Sequence, residues 1–298
     1  MRLKVVVIIA FLLNINTACR KNNNSSNNCY DNSNAQTITH NNETREFILH
    51  IPNSYNGSVK YPVMLNFHGY GGSASDHMQA ADMRSLADNE NFILVYPQGT
   101  CLDGAPHWNA SLSGPGNKSN ADDLGFIDAL INHLNSNYNI DLERVYACGY
   151  SNGGMFSYAL ACYNSNLIAA IGSVSGTMIE GTPLDCSPTH PTAMINIHGT
   201  SDNVLPYNGT TGYESIQSVI DYWVNYNNAD ANPTFDSFND NGTNIEHYLY
   251  ANGDSSSRIE HYKVIGGDHV WFDMNYQGMN TNDLIWNFVS QYDINGLR

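Results

Sequence analysis

From about residue 36 onward the chain alternates short apolar runs with amphipathic helical stretches, and this alternation restricts the fold more than any other feature. Strand-like runs fall at 45–51, 63–67, 92–96, 145–148, 169–174, 193–197 and 260–265, each punctuated by Gly, Pro or Asn. Helical patterns lie between them at 76–89, 122–138, 153–163, 213–227 and 282–292. Strands and helices in alternation predict an α/β fold, a mostly parallel central sheet with helices on both faces. No internal repeat or second linker interrupts the pattern, so a single domain over 36–298 is expected.

What precedes residue 36 is of another kind. Arg2 and Lys4 lead an apolar run over 5–13, and Asn16-Thr17-Ala18-Cys19 follows. A short cationic head, an apolar stretch and small residues before a cut site make 1–18 a secretory signal. The apolar run is too short to cross about 30 Å of hydrocarbon as a helix. Ala18-Cys19 resembles the end of a bacterial lipobox, which makes Cys19 a candidate for lipidation, although Asn16 stands where that pattern has Leu. Residues 19–35 are dominated by Asn and Ser and read as a tether between an anchor and the domain. The chain is therefore expected to be exported, either secreted or held at the cell surface through Cys19.

Export bears on the remaining cysteines. These are Cys29, Cys101, Cys148, Cys162 and Cys186, an odd number that leaves at least one thiol unpaired or paired between chains. Cys148 lies in an apolar strand and is expected to pack as a small core residue. Cys162–Cys186 and Cys29–Cys101 are then the preferred bridges. There is neither a Cys-x-x-Cys nor a His-Glu-x-x-His, and the histidines are scattered, so no metal and no cofactor is expected. With 28 Asp and Glu against 12 Lys and Arg, the formal charge is −16. That balance argues against nucleic-acid binding, which needs clustered cations, and makes a polyanionic substrate less suited than a neutral one.

Three of the expected strands run into turns that carry chemistry. The run over 145–148 enters Gly149-Tyr150-Ser151-Asn152-Gly153-Gly154, followed by a helical pattern. This is the strand–turn–helix setting of a nucleophile elbow, in which the flanking glycines let the backbone bend and the helix pack close. A serine needs a base, and the base an orienting acid. Asp202 follows the strand over 193–197, and His269 follows the glycine turn after 260–265. The order Ser151, Asp202, His269 is that of a hydrolase triad. The strand over 63–67 ends in His68-Gly69-Tyr70-Gly71-Gly72, a loop that would offer the Tyr70 N–H to an oxyanion, with the Asn152 N–H as second donor. His68 fits a bracing role in that loop better than the role of base. Trp108, Trp271 and Tyr70 are candidates for walls of a substrate pocket. Asp122 and Asp123 read as a helix N-cap and loop support.

Taken together, Ala121-Asp122-Asp123-Leu124-Gly125, Cys148-Gly149-Tyr150-Ser151-Asn152-Gly153-Gly154-Met155, His198-Gly199-Thr200-Ser201-Asp202 and Gly267-Asp268-His269-Val270-Trp271 resemble the polyhydroxybutyrate depolymerase/feruloyl esterase group, within carbohydrate esterase family 1. The resemblance runs from about Tyr61 to the C-terminus. It implies an α/β-hydrolase fold, carboxylic-ester hydrolysis by Ser151, Asp202 and His269, and the Cys162–Cys186 bridge. Depolymerases of this type often carry Cys after the oxyanion His-Gly, where this chain has Tyr70. The expected substrate is a feruloyl or acetyl ester of plant polysaccharide. A short-chain polyester such as polyhydroxybutyrate is the alternative. A catalytically dead binding protein on the same scaffold is a third reading.

Overall fold

The computed structural model describes residues 30, 32, 34–112 and 117–298. The expected signal over 1–18, the candidate Cys19, Cys29 and most of the tether over 19–35 lie outside the described residues. In chain order the strands are β1 (Gln36–His40), β2 (Glu43–His50), β3 (Tyr61–Phe67), β4 (Ile93–Pro97), β5 (Thr100–Leu102), β6 (Ala105–His107), β7 (Ile140–Tyr150) and β8 (Ala170–Val174). They continue with β9 (Ala193–Gly199), β10 (Thr234–Asp240), β11 (Thr243–Tyr250), β12 (Ile259–Val264), β13 (Asn275–Tyr276), β14 (Met279–Asn280), β15 (Tyr292–Asp293) and β16 (Gly296–Leu297). The helices are α1 (Ala74–Ala80), α2 (Arg84–Glu90), α3 (Asp123–Asn137), α4 (Asn152–Tyr163), α5 (Thr182–Asp185), α6 (Ile216–Tyr226) and α7 (Thr281–Val289).

One sheet runs in the order β1-β2-β4-β3-β7-β8-β9-β12-β11-β10. Its six central strands, β4 to β12, pair in parallel, and antiparallel strands flank them on both sides. Each central strand feeds alternate residues to two cores, as a twofold side-chain period requires. Val63, Leu65 and Phe67 of β3 and Val145 and Ala147 of β7 enter one core with residues of α3, α4 and α6. Met64, Tyr146 and Cys148 enter the other with residues of α1, α2 and α7. Helix α4 is buried from Asn152 to Cys162, so it is apolar all round, as a helix at the centre of a sheet must be. This is the α/β-hydrolase architecture, and all seven expected strands are present.

Two expectations need correction. The helix read over 76–89 is broken into α1 and α2. The Met83 N–H turns to the Tyr96 hydroxyl (3.1 Å), and the Asp82 carboxylate takes the Arg84 N–H (3.0 Å), so the helical ladder stops although apolar spacing continues. The hairpin β10–β11 gave no strand signal. β10 is exposed along most of its length and carries no apolar alternation.

The Cys162–Cys186 disulfide ties the end of α4 to the segment after α5. Cys148 is a free thiol in the core. Cys101 is disulfide-bonded as well, and its preferred partner Cys29 lies outside the described residues. Within the stretch expected to be tether, Asn32 is hydrogen-bonded to the domain: its amide donates to Gln98 Oε1 (2.9 Å) and its Oδ1 accepts the Ser75 N–H (3.1 Å).

Candidate active site

β7 ends at Tyr150 and α4 begins at Asn152, which leaves Ser151 to make the whole turn with φ 53° and ψ −118°. A side-chain-bearing residue pays a steric penalty there and persists only because its surroundings hold it. Gly153 is part of that hold. A Cβ on it would fall 2.2 Å from the Phe67 carbonyl oxygen, so only glycine lets α4 start this close to β3. Ser151 N–H donates to Val174 O (2.9 Å), tying the turn to the next strand.

The other two expected residues converge on it. Ser151 Oγ lies 2.8 Å from His269 Nε2, and His269 Nδ1 lies 2.7 Å from Asp202 Oδ2. Since a carboxylate only accepts, Nδ1 carries the proton and Nε2 is left to accept from the serine. The loops after β9 and β12 are stitched together by Ser201 N–H to Gly267 O (2.9 Å) and Gly266 N–H to Thr200 Oγ1 (2.8 Å). The Tyr150 hydroxyl and the Ser175 hydroxyl each donate at 2.8 Å to carbonyls of His269 and Val270, which holds the histidine loop against the elbow.

Asp202 is buried, and burial alone would raise its carboxyl. Contacts from His198 and His269 and the N–H groups of Leu205 (2.8 Å) and Val204 (2.9 Å) outweigh this and hold it well below the usual carboxylate range.

The Tyr70 and Asn152 N–H groups are not hydrogen-bonded to other described residues, whereas the neighbouring Gly71 N–H is taken by Pro106 O (2.8 Å). Asn152 is fixed through its side chain: its Oδ1 accepts the Trp108 N–H (2.7 Å) and its Nδ2 donates to Trp108 O (3.0 Å). His68 braces the loop. Its Nδ1–H donates to Gly69 O (2.7 Å) and its Nε2 accepts the Gly99 N–H (2.9 Å). Burial lowers His68 to about 4, so it is neutral near pH 7.

The aromatic candidates divide. Trp108 is 1% exposed and does not reach a substrate. Its ring stacks on Phe156 at 4.9 Å and its indole N–H donates to His68 O (3.1 Å), so it belongs to the core that supports the oxyanion loop. Sequence alone could not separate a wall from a core tryptophan. Tyr70 is 55% exposed, with the Lys118 ammonium 5.1 Å from its ring centre. Trp271 is half-buried and meets His77 edge-on at 5.4 Å. A cavity of about 180 Å³ opens at the oxyanion loop, with Gly69, Tyr70, His77, Ala80 and Tyr150 among its walls. Gly69 itself packs against Ser151, since a Cβ there would lie 3.3 Å from the serine Cβ. Asp122 caps α3 through the Gly125 N–H (2.9 Å), and Asp123 pairs with Arg45 (2.7 Å) and holds the Asn109 N–H (2.8 Å).

A strained serine elbow at the C-terminal end of a central parallel strand, with a histidine and a buried carboxylate brought to face it, is set in an α/β-hydrolase fold. The chain belongs to the phospholipase/carboxylesterase family, which residues 56–230 match. It is 29% identical over 248 residues to a bifunctional acetylxylan esterase/xylanase of Neocallimastix patriciarum, covering 83% of this chain and 34% of that protein. It is 33% identical over 174 residues to a probable feruloyl esterase C of Aspergillus clavatus, covering 56% of this chain and 58% of that one. The chain thus spans between about a third and three-fifths of the length of these curated relatives. Among solved structures, the acetyl xylan esterase from Aspergillus awamori superposes with a TM-score of 0.65 over 87% of this chain and 99% of that one, at 16% identity. The feruloyl esterase module from Clostridium thermocellum superposes at 0.57 over 80% of this chain and 81% of that one, at 14% identity. At such identities the likeness is one of fold.

Proposed function

We propose that this chain is an exported serine esterase that releases acyl groups, feruloyl above all, from plant polysaccharide. The observation that carries the reading is the unbroken line Ser151 Oγ, His269, Asp202, with contacts of 2.8 and 2.7 Å at the elbow. Ser151 attacks the ester carbonyl while His269 Nε2 takes its proton, and Asp202 steadies the imidazolium. The carbonyl oxygen, now negative, lies on the Tyr70 and Asn152 amides, each contributing about 3 kcal/mol to the transition state. The tetrahedral centre collapses, His269 protonates the departing alcohol, and an acyl-Ser151 remains. Water activated by the same His269 releases the acid and restores the serine.

The tyrosine and histidine walls of the cavity beside the oxyanion loop favour an aromatic acyl group over acetyl. Export is supported by the Cys162–Cys186 disulfide, which suits an oxidising compartment. Lipidation of Cys19 remains part of the proposal.

Hydrolysis of methyl ferulate, acetylated xylan and hydroxybutyrate oligomers by the protein and by Ser151→Ala tests the reading. Ferulate release abolished in the variant is expected. Preference for hydroxybutyrate oligomers would move the substrate to polyesters. Failure of Ser151 to react with a fluorophosphonate would indicate a dead scaffold.

A further inference from the structure

His198, near the end of β9, is wholly buried and takes no part in the steps above. Its Nε2–H donates to the Leu205 carbonyl (2.9 Å) and lies 3.2 Å from Asp202 Oδ2, the oxygen that also receives His269. Leu205 returns its own N–H to the other oxygen, Asp202 Oδ1, at 2.8 Å. That ring nitrogen thus lies close to the acid and, through Leu205, fixes the loop that holds its other oxygen. The rest of the imidazole is held for no other polar purpose. Its Nδ1 is buried without a hydrogen-bond partner among the described residues, a cost an apolar residue of similar size would avoid. Tyr207 closes over the ring edge-on at 6.1 Å, its own hydroxyl engaged with His261 Nε2 (2.9 Å), so the imidazole has a fixed orientation.

We propose that His198 is a positioning residue for the triad acid: its single N–H, given to the Leu205 carbonyl, anchors the loop whose N–H groups set the plane of the Asp202 carboxylate, and through it the angle of His269 towards Ser151. The inference rests on the triad reading. A carboxylate with one strong donor on Oδ2 can tilt about its Cβ–Cγ bond; the Val204 and Leu205 N–H groups on Oδ1 remove that freedom while their loop is anchored, and His198 anchors it at the Leu205 carbonyl.

The test compares His198→Phe, which keeps the ring volume without the donor, with His198→Gln, whose terminal amide can reach the place of Nε2. His198→Leu replaces Phe if the Phe variant unfolds below the assay temperature. Turnover of methyl ferulate or p-nitrophenyl acetate is followed from pH 5 to 9, with thermal unfolding measured for each variant. The donor-deleted protein is expected to lose at least about tenfold in kcat with KM within about twofold. His198→Gln recovers most of kcat. A folded Phe or Leu variant with kcat unchanged overturns the proposal, as does a Gln variant as impaired as Phe. A parent protein with no esterase activity, or one indifferent to Ser151→Ala, would instead overturn the triad reading itself.

Discussion

Arg45 donates to Asp123 across 2.7 Å with both side chains out of solvent, tying β2 to the start of α3 beneath the loop that carries Asn109. Arg45 also lies 4.0 Å over the Phe126 ring. Neither charge has water to fall back on. Asp123→Ala leaves an unpaired buried guanidinium and is expected to cost about 3–5 kcal/mol. The double replacement Arg45→Met with Asp123→Leu loses less than either single change, because it removes both charges at once. Urea unfolding of the three variants measures this directly.

Gly153→Ala places a methyl where the Phe67 carbonyl already stands. Helix α4 must back away from β3, carrying Ser151 and the Asn152 N–H with it. A displacement near 1 Å at the reacting atoms is enough for about a 100-fold fall in kcat. Steady-state kinetics is expected to show that fall with the disulfide and secondary structure intact.

Three buried histidines make the fold sensitive to acid. Burial lowers His68 to about 4, and His77 and His261 each to about 3, against about 6.5 in an unfolded chain. Above about pH 6.5 both states are neutral and nothing is lost. Below it the unfolded chain binds protons that the folded chain refuses, so stability falls as pH drops towards 4. Each histidine contributes a slope of about 1.4 kcal/mol per pH unit in that window. Thermal midpoints between pH 7 and 4.5 should therefore fall steeply, and His77→Gln should make the descent shallower.

The Cys162–Cys186 bridge closes a loop of 24 positions. In the chain-entropy account such a loop contributes about 3 kcal/mol by restricting the unfolded state. The paired replacement Cys162→Ser with Cys186→Ser is expected to lower the thermal midpoint by several degrees. Activity at 25 °C stays within a few-fold of the parent, since Ser151 lies at the opposite end of α4.

The parallel core and the meeting of Ser151, His269 and Asp202 were legible because their signals are local. Val145 to Cys148 is apolar enough to be a buried strand, the glycines around Ser151 admit little but a sharp turn, and Asp202 and His269 each follow a strand by a few residues. What sequence hid depends on partners distant along the chain. Trp108 became core only because Phe67 and Phe156 come from elsewhere to meet it. The break at Met83 is imposed by Tyr96. The strand β10 has no buried face of its own and exists through its ladder with β11. His198 was visible in the His-Gly-Thr-Ser-Asp run, but its contact with Asp202 is a matter of how the loop folds back.

The serine and the histidine that face each other are 118 positions apart, and the histidine is 67 positions from its acid. The cores close over separations at least as long, since Phe92 stacks on Trp286 and the Tyr146 hydroxyl donates to the Tyr292 carbonyl. Contacts of such long range are the slow ones in folding. Ester turnover during refolding therefore times the joining of the β9 and β12 loops, a later event than the recovery of helical circular dichroism. The proposed activity is thereby a readout of long-range assembly.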